Sequence, residues 1–262
     1  GEPQAPQPGC NVISTLDIKL QEAVERALAD GVGALKSEDT QGAAAVVIDV
    51  NDGGVLASAS YPTYDLSTFL QNYTELANDP LNPLFNRATQ GVYPPGSTFK
   101  MVTAIAGLQE GVITPTDEIL DTGRYTYYKD YQPQCWYYRQ YGRTHGKENV
   151  SEAIRDSCNI FFYDVGRRLG ISLLDEYAQK FGLGEYTGIE VYESKGHVAG
   201  PGYTESLGQK WYDGNTLPAA IGQENNQFTP IQLANYVATL ANGGTHYSAP
   251  LLKEGKYSDF SQ

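Results

Sequence analysis

The sequence predicts an α/β chain of the α+β kind, with helices gathered around an antiparallel sheet of which one hairpin is legible. Three observations carry this. Ala43 to Val50 and Val55 to Ser60 read as strands, and Asn51-Asp52-Gly53-Gly54 between them is hairpin-turn chemistry. Met101, Val102, Ala104, Ile105, Ala106 and Leu108 cover nearly every face of one helix, which therefore reads as buried rather than amphipathic. Helix-start signals recur downstream, at Asn149-Val-Ser-Glu152, Ser172-Leu-Leu-Asp175 and Thr229-Pro230.

In chain order, residues 1–13 carry Pro3, Pro6 and Pro8 and read as a linker or remnant. Leu16, Leu20, Val24, Ala27 and Leu28 then repeat at helical spacing, with Glu22 four residues before Arg26; this amphipathic helix is expected to end near Gly31. The hairpin follows. Tyr61 to Tyr93 has no sustained period and reads mostly as loop, broken by a short helix at most. Two prolines and Gly96 then stop the chain before Ser97, where the buried helix begins, and Gly111 is its expected stop. The tyrosine-rich segment up to Lys147 reads as irregular. A helix opens at the Asn149 box, a second spans Ile160 to Leu169, and a third runs from the Ser172 box to Gly182. Loop-like sequence continues to Gly214. The last helix, from Thr229-Pro230, carries Ile231, Leu233, Ala234, Val237, Leu240 and Ala241 and ends at Gly243-Gly244. Thr245 to Gln262 reads as a strand start and a polar tail. One hairpin is a poor sheet for a chain this long, so further strands are expected to complete it.

Composition narrows the function classes. With 18 Lys+Arg against 31 Asp+Glu the formal charge is −13, which argues against an extended nucleic-acid surface. No apolar run approaches the length of a membrane span; the best, Ala43 to Ile48, is closed by Asp49. Cys10, Cys135 and Cys158 form no Cys-x-x-Cys pair, and His145, His197 and His246 have no metal-ligand spacing, so no metal site is expected. Cys135 and Cys158 can form a disulfide in an oxidising compartment or remain buried thiols; the sequence leaves both open. The 20 tyrosines, densest from Tyr125 to Tyr141, suit stacking on sugars or peptides and equally suit half-buried packing.

Two short motifs carry chemistry. Ser97 and Lys100, three residues apart, share one helix face, and no other serine in the chain has a lysine three residues on. At a helix start the free N–H groups and the positive dipole end favour developing negative charge near Ser97. A serine needs a base to act as a nucleophile, and a lysine serves if burial lowers its proton affinity. An N-terminal serine cap with a snorkelling lysine would look the same at this level. Ser157-Cys158-Asn159 lies between two helices, where hydroxyl and amide groups suit proton relay and the holding of a carbonyl. Ordinary loop capping would look the same. Its position sixty residues after Ser97 raises it.

With these motifs the sequence resembles the penicillin-binding transpeptidases and serine β-lactamases, and within them the transpeptidase domain of class B penicillin-binding proteins of the elongation type. The supports run in family order: Ser14-Thr-Leu-Asp-Ile-Lys-Leu-Gln21, Ala45-Val-Val-Ile-Asp49, Leu56-Ala-Ser-Ala-Ser-Tyr-Pro62, Asn86-Arg-Ala88, Tyr93-Pro-Pro-Gly-Ser-Thr-Phe-Lys100, Cys135-Trp136, Ser157-Cys-Asn-Ile-Phe-Phe-Tyr163, Phe181-Gly-Leu-Gly184, Thr187-Gly-Ile189, Ala220-Ile-Gly-Gln223 and Thr229-Pro-Ile-Gln-Leu-Ala234. The fold this implies is the penicillin-binding transpeptidase or serine β-lactamase-like fold, a helical subdomain plus an antiparallel sheet.

The resemblance also implies roles. Ser97 would be the acylated nucleophile attacking the penultimate D-Ala carbonyl of a peptidoglycan stem peptide. Lys100 would take its proton, Ser157 would relay it to the leaving D-Ala, and Asn159 would position Lys100 and the substrate amide. The Ser97 N–H would supply half of an oxyanion hole, and Thr98, Tyr93 and Gln223 would contact substrate. No cofactor is implied. The partners implied are stem peptides on a lipid-linked precursor, β-lactams, and a membrane glycosyltransferase, at the extracytoplasmic face of a bacterial membrane with the anchor outside these residues.

One departure stands against the pattern. No Lys-Thr-Gly or Lys-Ser-Gly occurs in the 262 residues; Lys195-Gly196 and Lys253-Glu-Gly255 are not versions of it. In the family that motif lies on a strand beyond the helix matching Thr229 to Ala241. The expectation is therefore a transpeptidase domain over residues 14–262 that lacks its C-terminal strands, with an incomplete sheet and impaired activity. Two other classes remain beside it: a non-catalytic β-lactam sensor or inactive structural partner in wall synthesis, and a serine β-lactamase.

Overall fold

The computed structural model describes residues 11–253; Cys10, most of the expected linker and the tail beyond Lys253 lie outside the described residues. The chain divides into two compact units. The first comprises residues 1–91, 187–193 and 237–262, the second residues 92–186 and 194–236.

The first unit holds the hairpin. α1 (Ile18–Leu35) is capped by Asp17, whose carboxylate accepts from the N–H groups of Lys19 and Leu20. It runs through Gly31 and Gly33 to a left-handed Lys36, beyond the end expected at Gly31. A helix-interior glycine costs only about 1 kcal/mol relative to alanine, so it is a weak stop. β1 (Ala43–Ile48) and β2 (Val55–Tyr61) pair antiparallel, with a register shift at Val47/Ile48, and Gly53 supplies the positive φ in the turn. Residues 250–252 run beside Thr15 and Val55: Thr15 N–H donates to the Leu251 carbonyl and Val55 N–H to that of Pro250. The segment after β2 contains α2 (Phe69–Asn78), the short helix the loop reading allowed for.

The second unit is mostly helical. A 3₁₀ turn, Gly96–Phe99, leads directly into α3 (Lys100–Gln109). The segment read as irregular contains β3 (Ile119–Asp121), α4 (Trp136–Tyr141) and β4 (Gly146–Glu148), with β3 and β4 forming a second antiparallel ladder. α5 (Val150–Asp156) opens on the expected capping box, Asn149 and Glu152 bonding reciprocally. α6 (Asn159–Leu169) and α7 (Ile171–Lys180) follow. The Ser172 box does not form, because α7 is capped at Gly170 and Ser172 lies inside its first turn. α8 (Pro201–Ser206) lies within the stretch read as loop, and α9 (Thr216–Ala219) follows just beyond its end at Gly214. α10 (Pro230–Ala241) starts at Thr229, whose hydroxyl accepts from Gln232 N–H while Gln232 Oε1 accepts from Thr229 N–H. Among the described residues the sheets are these two ladders, and no helix is long and apolar enough to cross a membrane.

The second unit's core is dense. Phe161, Phe162, Leu174, Leu183, Leu217, Phe228, Ile231 and Tyr236 are fully buried. Side chains of this size each contribute about 1.5–3 kcal/mol through burial. At Gly107 the approach of α3 and α6 leaves no room for a side chain: a Cβ would sit 2.7 Å from Val165 Cγ1. That closeness brings the start of α3 beside the α5–α6 junction, and both motifs lie there.

Candidate active site

Ser97 sits in the 3₁₀ turn, one residue after a left-handed Gly96 whose N–H donates to the Gly222 carbonyl. Gly222 itself has φ +74, and a Cβ there would fall 2.1 Å from the Gly96 oxygen. Only glycine fits without moving the turn. Tyr236 O–H donates to the Thr98 carbonyl from beneath, and Thr98 Oγ1 donates to the Pro95 carbonyl. The serine's backbone is thus held from several sides by residues distant in sequence.

Lys100 is 2% exposed, at the first position of α3. Its ammonium commits all three donors: to Ser157 Oγ at 2.8 Å, the Ser157 carbonyl at 2.8 Å and Asn159 Oδ1 at 2.7 Å. The Phe162 ring lies 5.8 Å from Nζ. Burial disfavours the charged form and brings the Lys100 pKa from 10.5 down to about 8. Ser157 Oγ in turn donates to Ser97 Oγ at 3.0 Å. The two motifs therefore converge as a chain, Lys100–Ser157–Ser97. The sequence reading had Lys100 as the direct partner of Ser97; in this arrangement Ser157 lies between them.

Ser157 holds this position in a strained backbone. It caps α5 with φ 54 and ψ 44, a left-handed conformation that costs a non-glycine residue on the order of 1–3 kcal/mol. The carbonyl so turned accepts from Lys100 and from the Trp136 indole N–H at 3.0 Å. Trp136 was quoted for resemblance alone; its indole bonding to the second motif had no signal in the sequence.

The expected substrate-contacting residues divide. Tyr93 pairs through its backbone with Phe228 and leaves its ring 42% exposed. Gln223 is exposed, directly after Gly222. The Thr98 hydroxyl is occupied within its own turn.

Of the two states the sequence left open for the cysteines, the structure has the thiols, and it brings them beside a histidine and a carboxylate. Cys135 and Cys158 are free buried thiols rather than a disulfide. With Asp121 and His145 they form a group whose ligand atoms all lie within 4.8 Å of one another. His145 Nδ1 is 2.8 Å from Asp121 Oδ2 and 3.6 Å from Cys135 Sγ. Hydrogen bonding from Cys158 pushes the Cys135 thiol down, while the same bond and burial push the Cys158 thiol up. Two sulfurs, an imidazole and a carboxylate are donor types that tetrahedral zinc takes. Linear spacing concealed the group, because its members are spread from position 121 to 158 and meet only through folding.

Comparison with known proteins identifies the family. The family model described as the penicillin binding protein transpeptidase domain matches residues 43–260. Peptidoglycan D,D-transpeptidase MrdA of Escherichia coli K12 is 38% identical over 252 residues, covering 91% of this chain and 37% of that protein. A crystal structure of Pseudomonas aeruginosa PBP2 in complex with WCK 5153 is similar with a TM-score of 0.83 and 36% identity, over 97% of this chain and 57% of that one. A complex between Helicobacter pylori PBP2 and MreC is similar with a TM-score of 0.79 and 30% identity, over 94% and 45% respectively. The chain spans under two fifths of the length of the MrdA relative it matches.

Proposed function

Because this chain belongs to the penicillin-binding protein transpeptidase family, class B and of the PBP2/MrdA type, we propose that it carries the acyl-transfer site of a peptidoglycan D,D-transpeptidase. The observation that carries the reading is the chain of contacts from the buried Lys100 through Ser157 to Ser97. Ser97 Oγ attacks the penultimate D-Ala carbonyl carbon of a donor stem peptide. Its proton passes to Ser157 Oγ, which hands its own to the neutral amine of Lys100. With a pKa of about 8, roughly a tenth of Lys100 is neutral at pH 7, enough for a general base that must also return the proton.

The tetrahedral oxyanion forms beside the N–H of Ser97, at the start of a helical segment whose dipole favours it. Collapse breaks the C–N bond, and the proton held by the lysine–serine pair leaves with D-Ala. An acceptor amine then attacks the Ser97 ester. Its nitrogen bonds to the carbonyl carbon, the C–Oγ bond breaks, and an amine proton ends on Ser97 Oγ. Asn159 orients Lys100 throughout, and the exposed Tyr93 and Gln223 side chains are the proposed contacts to the donor peptide.

β-Lactams, mimicking the D-Ala-D-Ala end, would acylate the same serine. The setting we propose is the extracytoplasmic face of a bacterial membrane, acting on lipid-linked peptidoglycan with a membrane glycosyltransferase. The PBP2–MreC complex among the similar structures favours such a wall-synthesis assembly.

The test is covalent labelling by fluorescent penicillin. Labelling that persists through denaturation and disappears in Ser97→Ala, a loss of about 10⁴-fold or more, is the expected result. Rapid release of the label would indicate a β-lactamase, and no labelling at all would leave a non-catalytic partner as the better reading.

A further inference from the structure

Trp136 opens α4, and its indole N–H donates to the Ser157 carbonyl at 3.0 Å. The same oxygen accepts from the Lys100 ammonium at 2.8 Å. A carbonyl has two lone pairs, so these two donors fill it. Ser157 ends α5 in a left-handed conformation, φ 54 and ψ 44. The dihedrals that turn its carbonyl toward Lys100 also set the direction of its Cα–Cβ bond. That bond aims the hydroxyl at Lys100 Nζ on one side and Ser97 Oγ on the other. A group that fixes the carbonyl therefore also fixes the bridge between the two motifs.

The two donors differ in constancy. As the base, Lys100 must be neutral. Its amine then has two N–H groups, for the Ser157 carbonyl and Asn159 Oδ1, and a lone pair facing the Ser157 hydroxyl. A neutral donor loses the charge-assisted part of its hold, so the lysine's grip on the carbonyl weakens at the moment the relay operates. The indole does not ionise, and its grip is the same in both states. Its own placement is set outside the α5–α6 junction. The preceding Cys135 N–H donates to the Gly123 carbonyl at 2.9 Å. The indole packs with the rings of Tyr137, Tyr141 and His145, at centre-to-centre distances of 5.5, 6.3 and 5.9 Å.

We propose that Trp136 is a positioning residue for acyl transfer, bracing the Ser157 carbonyl so that the Ser157 hydroxyl stays between Ser97 and Lys100 while Lys100 is uncharged. The proposal rests on the transpeptidase reading. The indole touches no reacting atom and acts only through Ser157.

The test compares Trp136→Phe with Trp136→benzothienylalanine, which keeps the shape of the ring and lacks its N–H. Stopped-flow reaction with benzylpenicillin separates non-covalent binding from the first-order acylation step. Loss of the one hydrogen bond should slow acylation about tenfold in both variants, with the binding constant within about twofold of the original. Protein carrying 5-fluorotryptophan, which keeps the N–H, should acylate at close to the original rate. Trp211→Phe, at the chain's other tryptophan, should do the same. Unchanged acylation in the benzothienylalanine variant would overturn the proposal, whether or not Trp136→Phe is slowed, because the ring would then serve packing alone. So would weaker binding at an unchanged acylation constant. Melting curves establish that each variant is folded. If the original protein takes no penicillin, the transpeptidase reading falls, and backbone amide NMR still reads the brace. The Ser97 and Ser157 signals should move in the benzothienylalanine variant while that of Asp30, on α1, stays in place. Ser97 and Ser157 signals that do not move would overturn the brace as well.

Discussion

α1 and α6 are both amphipathic, yet they end in opposite circumstances. α1 has 18 residues and none is buried, whereas α6 has 11 and eight are buried, Asp164 among them. A similar contrast separates β1, half-exposed along its whole length, from the surroundings of α3, where a lysine, a threonine and several aromatic rings lie with almost no water contact. A buried amine at the start of α3 can be held by three acceptors only where neighbours close in from every side. Dense packing is thus what holds Lys100 buried among three acceptors, the arrangement on which the roles proposed for Ser97 and Lys100 rest.

That comparison breaks first at Gly222. Gly222→Ala would force a Cβ against the Gly96 oxygen at a positive φ. We expect a loss of about 2–4 kcal/mol in stability and at least a tenfold drop in the rate of penicillin acylation, measured by melting and by stopped-flow labelling. A variant with unchanged acylation would mean that the Ser97 turn is not held from this side.

The next largest effect concerns the burial of Lys100. In the proposed reaction its neutral form is the base, and its pKa is lowered to about 8, so acylation should accelerate as pH rises through that value. From pH 7 to pH 9 the neutral fraction, and with it the rate, grows about tenfold and then levels off. A rate flat across that range would place the working base elsewhere.

The smallest effect belongs to α1, none of whose residues is buried. At Gly31, within α1, an added Cβ meets nothing within 4 Å. Gly31→Ala should stabilise the protein by about 0.5–1 kcal/mol without altering labelling. A destabilised variant would show that α1 is covered in solution on the face this glycine presents.

Legibility in the sequence followed the same division between local and distant causes. The Asn149 box, the Thr229 cap and the Asn51–Gly54 turn were readable because each depends on residues within four positions. The Ser172 box failed although its letters were right, since Gly170 set the start of α7 two residues earlier. β3 and β4 are three residues each, too short to show a period. In the proposed site, Ser97, Lys100, Ser157 and Asn159 were singled out through motif and resemblance. The left-handed turn at Ser157, its bond to Trp136 and the Asp121–Cys135–His145–Cys158 group were not, because packing of separate elements creates them.

The central claim is that Ser97 becomes the acyl carrier. It is tested most directly by trapping the protein with a D-Ala thioester donor and mapping the adduct by peptide mass spectrometry. The account predicts one acyl group, on the peptide containing Ser97, absent from Ser97→Ala and slowed at least a hundredfold in Lys100→Met. An adduct on any other residue, or one that persists in Ser97→Ala, would contradict it.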